Sequence, residues 1–187
     1  KHAHKAIEKG ADGLIAVSAG AGGHAGVKSP FALVQELRQW FDGPLALSGS
    51  ISTGSAILAA QAMGADFAYM GSAFIATEEA RASDAYKQAI VDNDSDEIVY
   101  SNLFTGVHGN YLAPSIRNAG LDPTNLPESD PSKMNFGGAS AKAWKDIWGC
   151  GQGIGAITKV QSTADYVAQL KREYAEARAQ LLARNYV

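Results

Sequence analysis

The chain has 187 residues, 46% of them hydrophobic, and a formal net charge of -3. That composition suits a soluble globular protein with a sizeable core, and the scattered basic residues argue against a nucleic-acid partner. No apolar run approaches the roughly 18 residues that cross a bilayer, the opening KHAHKAIEKG is too polar for a signal peptide, and the single Cys150 excludes an internal disulfide, so a cytoplasmic, reducing compartment is expected.

The first ten residues read as the end of a helix. Ala3, Ala6 and Ile7 fall at helical spacing, and Gly10 stands where a cap glycine belongs. A chain that opens inside a helix, without Met, is expected to lack what preceded it. Gly13 to Ala19 is a short apolar run bounded by turn residues, which suits a parallel strand buried on both faces. Ser29-Pro30 then opens a helix, with Ser as N-cap, Pro at its first position and a stripe of Phe31, Leu33, Val34, Leu37 and Phe41. Gly43-Pro44 ends it, and Leu45 to Ser48 forms a second buried strand.

The pattern repeats. Gly49 to Thr53 is a glycine- and serine-rich turn, followed by a helix around Ser55 to Met63 carrying Ile57, Leu58 and Gln61. Gly64-Ala65-Asp66 closes that helix, Phe67 to Met70 is a third strand, and Gly71-Ser72 is a third tight turn. Strand, turn and helix in alternation imply βαβ units and a parallel sheet.

Beyond Glu78 the character changes. Glu79 to Val91 is predicted as an amphipathic helix and Glu97 to Ser101 as a short strand. Asn118 to Gly138 is too long for an idle connection. Ser140 and Ser162 read as N-caps of two further helices, the second running to about Ala183. Asp165, three residues after Ser162, nearly completes a capping box. On that helix Tyr166, Leu170, Tyr174, Ala177 and Leu181 share an apolar face, while Lys171, Arg172, Glu173 and Glu176 are expected to be solvated.

Three parallel strands cannot close a barrel, and an eight-stranded barrel usually takes about 250 residues. The expected fold class is therefore α/β: the C-terminal portion of a (β/α)8 TIM barrel, about its last three βα units. Residues 1–78 would supply those units, and residues 79–187 a mainly helical region packing on them.

The chemistry concentrates in three turns. Ser18-Ala-Gly-Ala-Gly-Gly-His24-Ala-Gly26 follows the first strand, at the end where TIM-barrel active sites lie. Its glycines let backbone approach a ligand, and His24 has the chemistry for proton transfer near neutral pH. The bland alternative is a flexible loop with an incidental histidine. Ser48 to Gly54 and Met70 to Ser72 each join a strand to a helix start, where unpaired N–H groups and the helix dipole favour a phosphate. Hydroxyls on Ser50 and Ser72 would add hydrogen bonds. The alternative is that Gly49 and Gly71 serve only the turns. Phosphate sites of TIM barrels commonly follow strands seven and eight, which would place the His24 loop after strand six.

At this point GADGLIAVSAGAGGHAG resembles the AGGH motif of the nitronate monooxygenase (formerly 2-nitropropane dioxygenase) family. LALSGSISTGSAILAAQAMGADFAYMGSAFIATEEA is similar to that family's next signature, an Ala-Gly-Gly-Ile turn followed by Met-Gly-Thr. SNLFTGVHGNYLAPSIRNAGLDP and WGCGQGIGAI resemble its C-terminal region. The resemblance implies FMN as cofactor and His24 as the catalytic histidine beside it. It implies that Gly22 and Gly23 pack against FMN, and that Gly49, Ser50, Met70, Gly71 and Ser72 hold its phosphate. Ser18 and Gln152 match flavin-binding positions more loosely. Three departures stand out: Gly20 where the family often has glutamate, Ser50 at the second glycine of the turn, and Ser72-Ala73 for Thr-Arg.

The implied reaction is oxidation of an alkyl nitronate, such as propionate 3-nitronate, by molecular oxygen to a carbonyl compound and nitrite. His24 would be a base towards a neutral nitroalkane, or a cation facing an anionic substrate. The rivals are an FMN-dependent enoyl-acyl-carrier-protein reductase and a non-catalytic barrel fragment binding a phosphorylated ligand. Homo-oligomerisation is left open. His108 reads as a surface residue with a pocket role as the alternative, Cys150 as inert, and Tyr69, Trp144 and Trp148 as packing residues. His2 and His4 receive no function. No His, Cys, Asp and Glu cluster has metal-ligand spacing, so no metal is expected.

Overall fold

The apolar runs become β1 (Leu14–Val17), β3 (Leu45–Ser48) and β4 (Phe67–Tyr69), paired in parallel in the order β1-β3-β4. β3 lies in the middle, so Leu45 and Leu47 are buried beneath α2 (Pro30–Arg38) and α3 (Gly54–Ala62), with Val34 and Ala60 closing the layer. Burial of each large aliphatic side chain contributes about 1.5 to 3 kcal/mol. The computed structural model describes residues 2–129 and 146–184. Ser140, Trp144 and the end of the 118–138 loop lie outside the described residues.

The opposite face of the sheet is open. Ile15 and Val17 on β1 and Phe67 and Tyr69 on β4 are exposed. The register sets Ile15 beside Ala46 and Ala46 beside Phe67, and likewise Val17, Ser48 and Tyr69. The expectation of strands buried on both faces therefore holds for one face only, and the barrel is not closed. Tyr69, expected to pack, stands on the open face.

Local signals explain the element ends. α1 (His2–Glu8) stops before Gly10, which takes φ +91°. Ser29 precedes Pro30 at the start of α2, but its side chain makes no cap hydrogen bond, so proline's fixed φ sets that start. The predicted α2 stripe holds except at one residue: Val34, Leu37 and Phe41 are buried and Leu33 packs against the core that holds Val34 and Leu37, whereas Phe31 is exposed. The Asp66 carboxylate accepts from Leu45 N–H and from Arg38, each at 2.8 Å. Those bonds, the Leu45 one foremost, hold its pKa below the usual carboxylate value and tie α2 to the sheet.

A second sheet was not anticipated. β2 (Gly23–His24), β5 (Ile98–Ser101) and β6 (Gly109–Leu112) pair antiparallel in the order β2-β6-β5. Within it Gly23 lies opposite Asn110, and His24 opposite Gly109. The predicted strand at Glu97 to Ser101 is thus present as β5, but its central partner β6 lies in a segment to which the sequence reading assigns no element. α4 (Ser72–Ile75) is a single turn. α5 runs Asp84–Asp92, later than the predicted start at Glu79, because Ser83 caps it by accepting from Tyr86 N–H. α6 (Ala113–Asn118) follows β6 directly.

The last helix, α7 (Thr163–Ala183), begins as read: Ser162 Oγ accepts from Asp165 N–H at 3.1 Å and donates to the Asp165 carboxylate at 2.8 Å. Tyr166 and Leu170 enter a core with Ile90, Leu112, Cys150 and Ile154, while Leu181 is exposed. α7 crosses α3 so closely that a Cβ on Gly54 would meet the Leu170 carbonyl and the Tyr174 amide. Glu173, expected to be solvated, instead accepts from Gly54 N–H at 2.8 Å.

Candidate active site

The three turns converge. Gly20 to Gly23 after β1, Ser48 to Ser52 at the end of β3 and Tyr69 to Ser72 at the end of β4 line one cleft of about 220 Å³, with Gly149, Gly151 and Gly153 closing its side. Of the residues singled out above, Gly22, Gly23, Gly49, Ser50, Met70, Gly71 and Ser72 all line this space. Parallel strands end at one edge of their sheet, so each βα turn emerges on the same side.

The cleft offers hydroxyls and backbone, and no charged side chain among the described residues that line it. Ser48, Ser50, Ser52, Ser72 and Tyr69 are its hydroxyl residues, beside glycines, Ala21, Ile51, Met70 and Ile75. Ser50 is the one described non-glycine residue at positive φ, +56°. A residue with a Cβ typically loses about 1 to 3 kcal/mol there, and such strain concentrates at ligand sites. Two departures from the family pattern touch each other: a Cβ on Gly20 would meet Ser50 Oγ. The Ser50 side chain takes the space that a side chain at position 20 would need.

Two expected contacts lie elsewhere. Ser18 is fully buried and donates to the Ser48 carbonyl at 2.8 Å, joining β1 to β3 behind the cleft. Gln152 is exposed; its backbone N–H donates to the Gly20 carbonyl at 2.9 Å. Neither lines the cleft.

His24 stands beside the space rather than in its wall. β2 holds it through the ladder to Gly109, extended by a bond from Ala25 N–H to the His108 carbonyl at 3.2 Å. The ring is exposed, with Nε2 2.9 Å from Thr105 Oγ1. His108 is exposed and stacks on Tyr100, centroids 5.0 Å apart, as its surface reading expected. Trp148 stacks on Tyr86 and His4 on Trp40.

The helix-start argument applies unequally to the two phosphate turns. At α3, Ala56 N–H is taken by Thr53 Oγ1 and Gly54 N–H by Glu173, so these donors already have acceptors and a carboxylate sits at the dipole's positive end. In the loop before the helix, Ser50 N–H donates to the Gly20 carbonyl at 3.3 Å. At α4 Ser72 Oγ accepts from Gly151 N–H at 2.9 Å, which fixes the hydroxyl oxygen beside the cleft.

Sequence reasoning missed Gly149, Gly151, Gly153 and Thr105. The glycines carried a signal in their spacing: every second residue of WGCGQG is glycine. A Cβ on Gly151 would lie 2.6 Å from the Gly20 carbonyl, so that segment packs backbone against backbone. Thr105 carried none. Cys150, between two of these glycines, is fully buried. Burial pushes its thiol from about 9 up to about 11, against weaker pulls from hydrogen bonds with Ser72 and Gly151, so it stays protonated and inert near neutral pH. Among the described residues no group of three His, Cys, Asp or Glu is placed to hold a metal ion, and no helix is long and apolar enough to cross a membrane.

Comparison with known proteins agrees with the motifs. Residues 1–173 match the family model described as nitronate monooxygenase. The nitronate monooxygenase of Paraburkholderia phytofirmans is 30% identical over 188 residues, covering 92% of this chain and 51% of that protein. Nitroalkane oxidase from Streptomyces ansochromogenes superposes with a TM-score of 0.75 at 29% identity, over 96% of this chain and 56% of that one. FabK from Thermotoga maritima superposes with a TM-score of 0.73 at 22% identity, over 96% and 59%, a likeness of fold alone. The chain spans about half the length of the curated relatives it matches. Its ordered motifs, its fold and the match over nearly its whole length agree: the chain belongs to the nitronate monooxygenase family of flavin-dependent oxidoreductases.

Proposed function

We propose that this chain carries the FMN-phosphate turns and the catalytic histidine of an enzyme that oxidises alkyl nitronates, such as propionate 3-nitronate, with molecular oxygen to a carbonyl compound and nitrite. The observation that supports this reading best is the convergence of three glycine-rich turns on one cleft beside His24. In this reading β1, β3 and β4 are strands six to eight of an eight-stranded barrel, residues 1–78 form its last βα units, and residues 79–187 pack on them. The open face with Ile15, Val17, Phe67 and Tyr69 is then the barrel's interior wall.

The cleft suits a phosphate-bearing flavin. Its four serines and its backbone provide donors, and no carboxylate is among the described residues that line it. Its 220 Å³ falls below the about 300–1,000 Å³ of ordinary ligand pockets, which fits the phosphate end of FMN rather than the whole molecule. Gly49, Ser50, Met70, Gly71 and Ser72 would hold the phosphate, with Gly22 and Gly23 along the flavin and Ser18 and Gln152 supporting from behind. Bound FMN supplies the transfer of electrons from nitronate to oxygen. His24 takes a proton from the carbon beside the nitro group of a neutral nitroalkane, or, protonated, offsets the charge of a nitronate.

Anaerobic spectra of the FMN-loaded protein test this. Bleaching by propionate 3-nitronate and not by reduced nicotinamide is expected, with FMN retained and most turnover lost in His24→Ala. Bleaching by nicotinamide alone would assign the reductase chemistry instead, and failure to bind FMN would remove both.

A further inference from the structure

The His24–Thr105 contact identifies its own donor. Thr105 Oγ1 lies 2.9 Å from the Val107 carbonyl oxygen. A carbonyl only accepts, so the single hydroxyl hydrogen of Thr105 points there. Val107 N–H donates back to Oγ1 at 3.3 Å, and the Tyr111 hydroxyl stands 3.5 Å away. With its hydrogen committed, Oγ1 meets Nε2 of His24 at 2.9 Å as an acceptor, and the proton of that bond belongs to the ring. A neutral imidazole carries one proton, so proton on Nε2 means lone pair on Nδ1. Backbone hydrogen bonds frame the contact. Gly106 N–H donates to the Asn102 carbonyl at 2.8 Å, closing the turn that carries Thr105, and the β2–β6 ladder fixes the His24 backbone.

We propose that Thr105 is a positioning residue for His24: it accepts the Nε2 proton, orients the ring and sets its tautomer. The catalytic half of this proposal rests on the reading of His24 given above.

Long-range 1H–15N spectra of the histidine-labelled full chain test the assignment, recorded at alkaline pH where imidazoles are neutral, with His24 identified by its loss in His24→Gln. The expected spectrum shows His24 protonated on Nε2. Thr105→Val, which keeps the shape and removes the acceptor, should shift His24 towards a mixture of tautomers, and Thr105→Ser should restore the Nε2–H form. A wild-type ring protonated on Nδ1, or a Thr105→Val spectrum identical to wild type, overturns the proposal. In the FMN-loaded protein, Thr105→Val should lower kcat by about tenfold with KM little changed, the scale of one hydrogen bond acting in the transition state. Unchanged turnover in His24→Gln would overturn the catalytic reading, while the spectra decide the hydrogen bond independently of it.

Discussion

The turn after β3 and the turn after β4 look alike in sequence, Ser48-Gly49-Ser50 beside Met70-Gly71-Ser72, and the fold treats them differently. Around the first, Gly49 takes φ +136°, and a Cβ there would run into Ser18 Oγ and stand 2.8 Å from the Ala19 carbonyl. The helix that follows is pinned by α7 through Gly54, Glu173 and Tyr166. Around the second, a Cβ on Gly71 would have nothing within 4 Å, and the helix is one turn long. The crowded turn is a joint of the fold as well as a wall of the cleft. The open turn is free to serve a ligand.

Substitutions at the crowded joint should separate the two turns most sharply. Gly54→Ala should have the largest effect, because its Cβ meets backbone atoms of α7 that cannot rotate away. A loss of more than about 3 kcal/mol in urea unfolding is expected, well above the gain of under about 1 kcal/mol in helix propensity. Gly49→Ala should cost about 2 to 3 kcal/mol, since positive φ and crowding act together. A wild-type midpoint in either variant would break the distinction. Tyr166→Phe removes the donor that reaches the Ser52 carbonyl at 2.9 Å in a buried setting. About 1 kcal/mol should be lost, measurable as a lower unfolding midpoint with an unchanged slope. The smallest effect belongs to the open turn. Gly71→Ala should change stability by no more than about 0.5 kcal/mol, while FMN titration should show weaker binding, since the added methyl stands at a cleft-lining position. A stability loss equal to that of Gly49→Ala would erase the contrast.

The parallel half of the molecule was legible because its signals are local. Leu45 to Ser48 is a strand with the predicted limits, Ser29-Pro30 and Ser162 stand at the helix starts they announced, and the cap glycine at position 10 has the positive φ its role requires. β6 was not legible. Gly109–Leu112 is a run of four buried residues including Asn110, whose side chain donates to the Ala21 carbonyl at 2.7 Å. Its polar residue is satisfied by a partner 89 positions away, and no alternation marks it as a strand. α5 was drawn too long for a related reason: Glu79 has helix-forming character, yet its carboxylate accepts from Thr163 at the start of α7.

The candidate site divides along the same line. Sequence by itself picked out most of the residues that line the cleft, because glycines after strands and hydroxyls at helix starts act through their own backbone and side chain. It also placed His24 next to two glycines. Only tertiary structure decided that the Ser18 hydroxyl bonds the Ser48 carbonyl, that Glu173 occupies the start of α3, that glycines 149, 151 and 153 complete the wall, and that Thr105, 81 residues on from His24, meets its ring. The physical reason is common to all four. A hydrogen bond or close contact between distant segments depends on which surfaces packing brings within about 3 Å, and no local period of the chain encodes that distance.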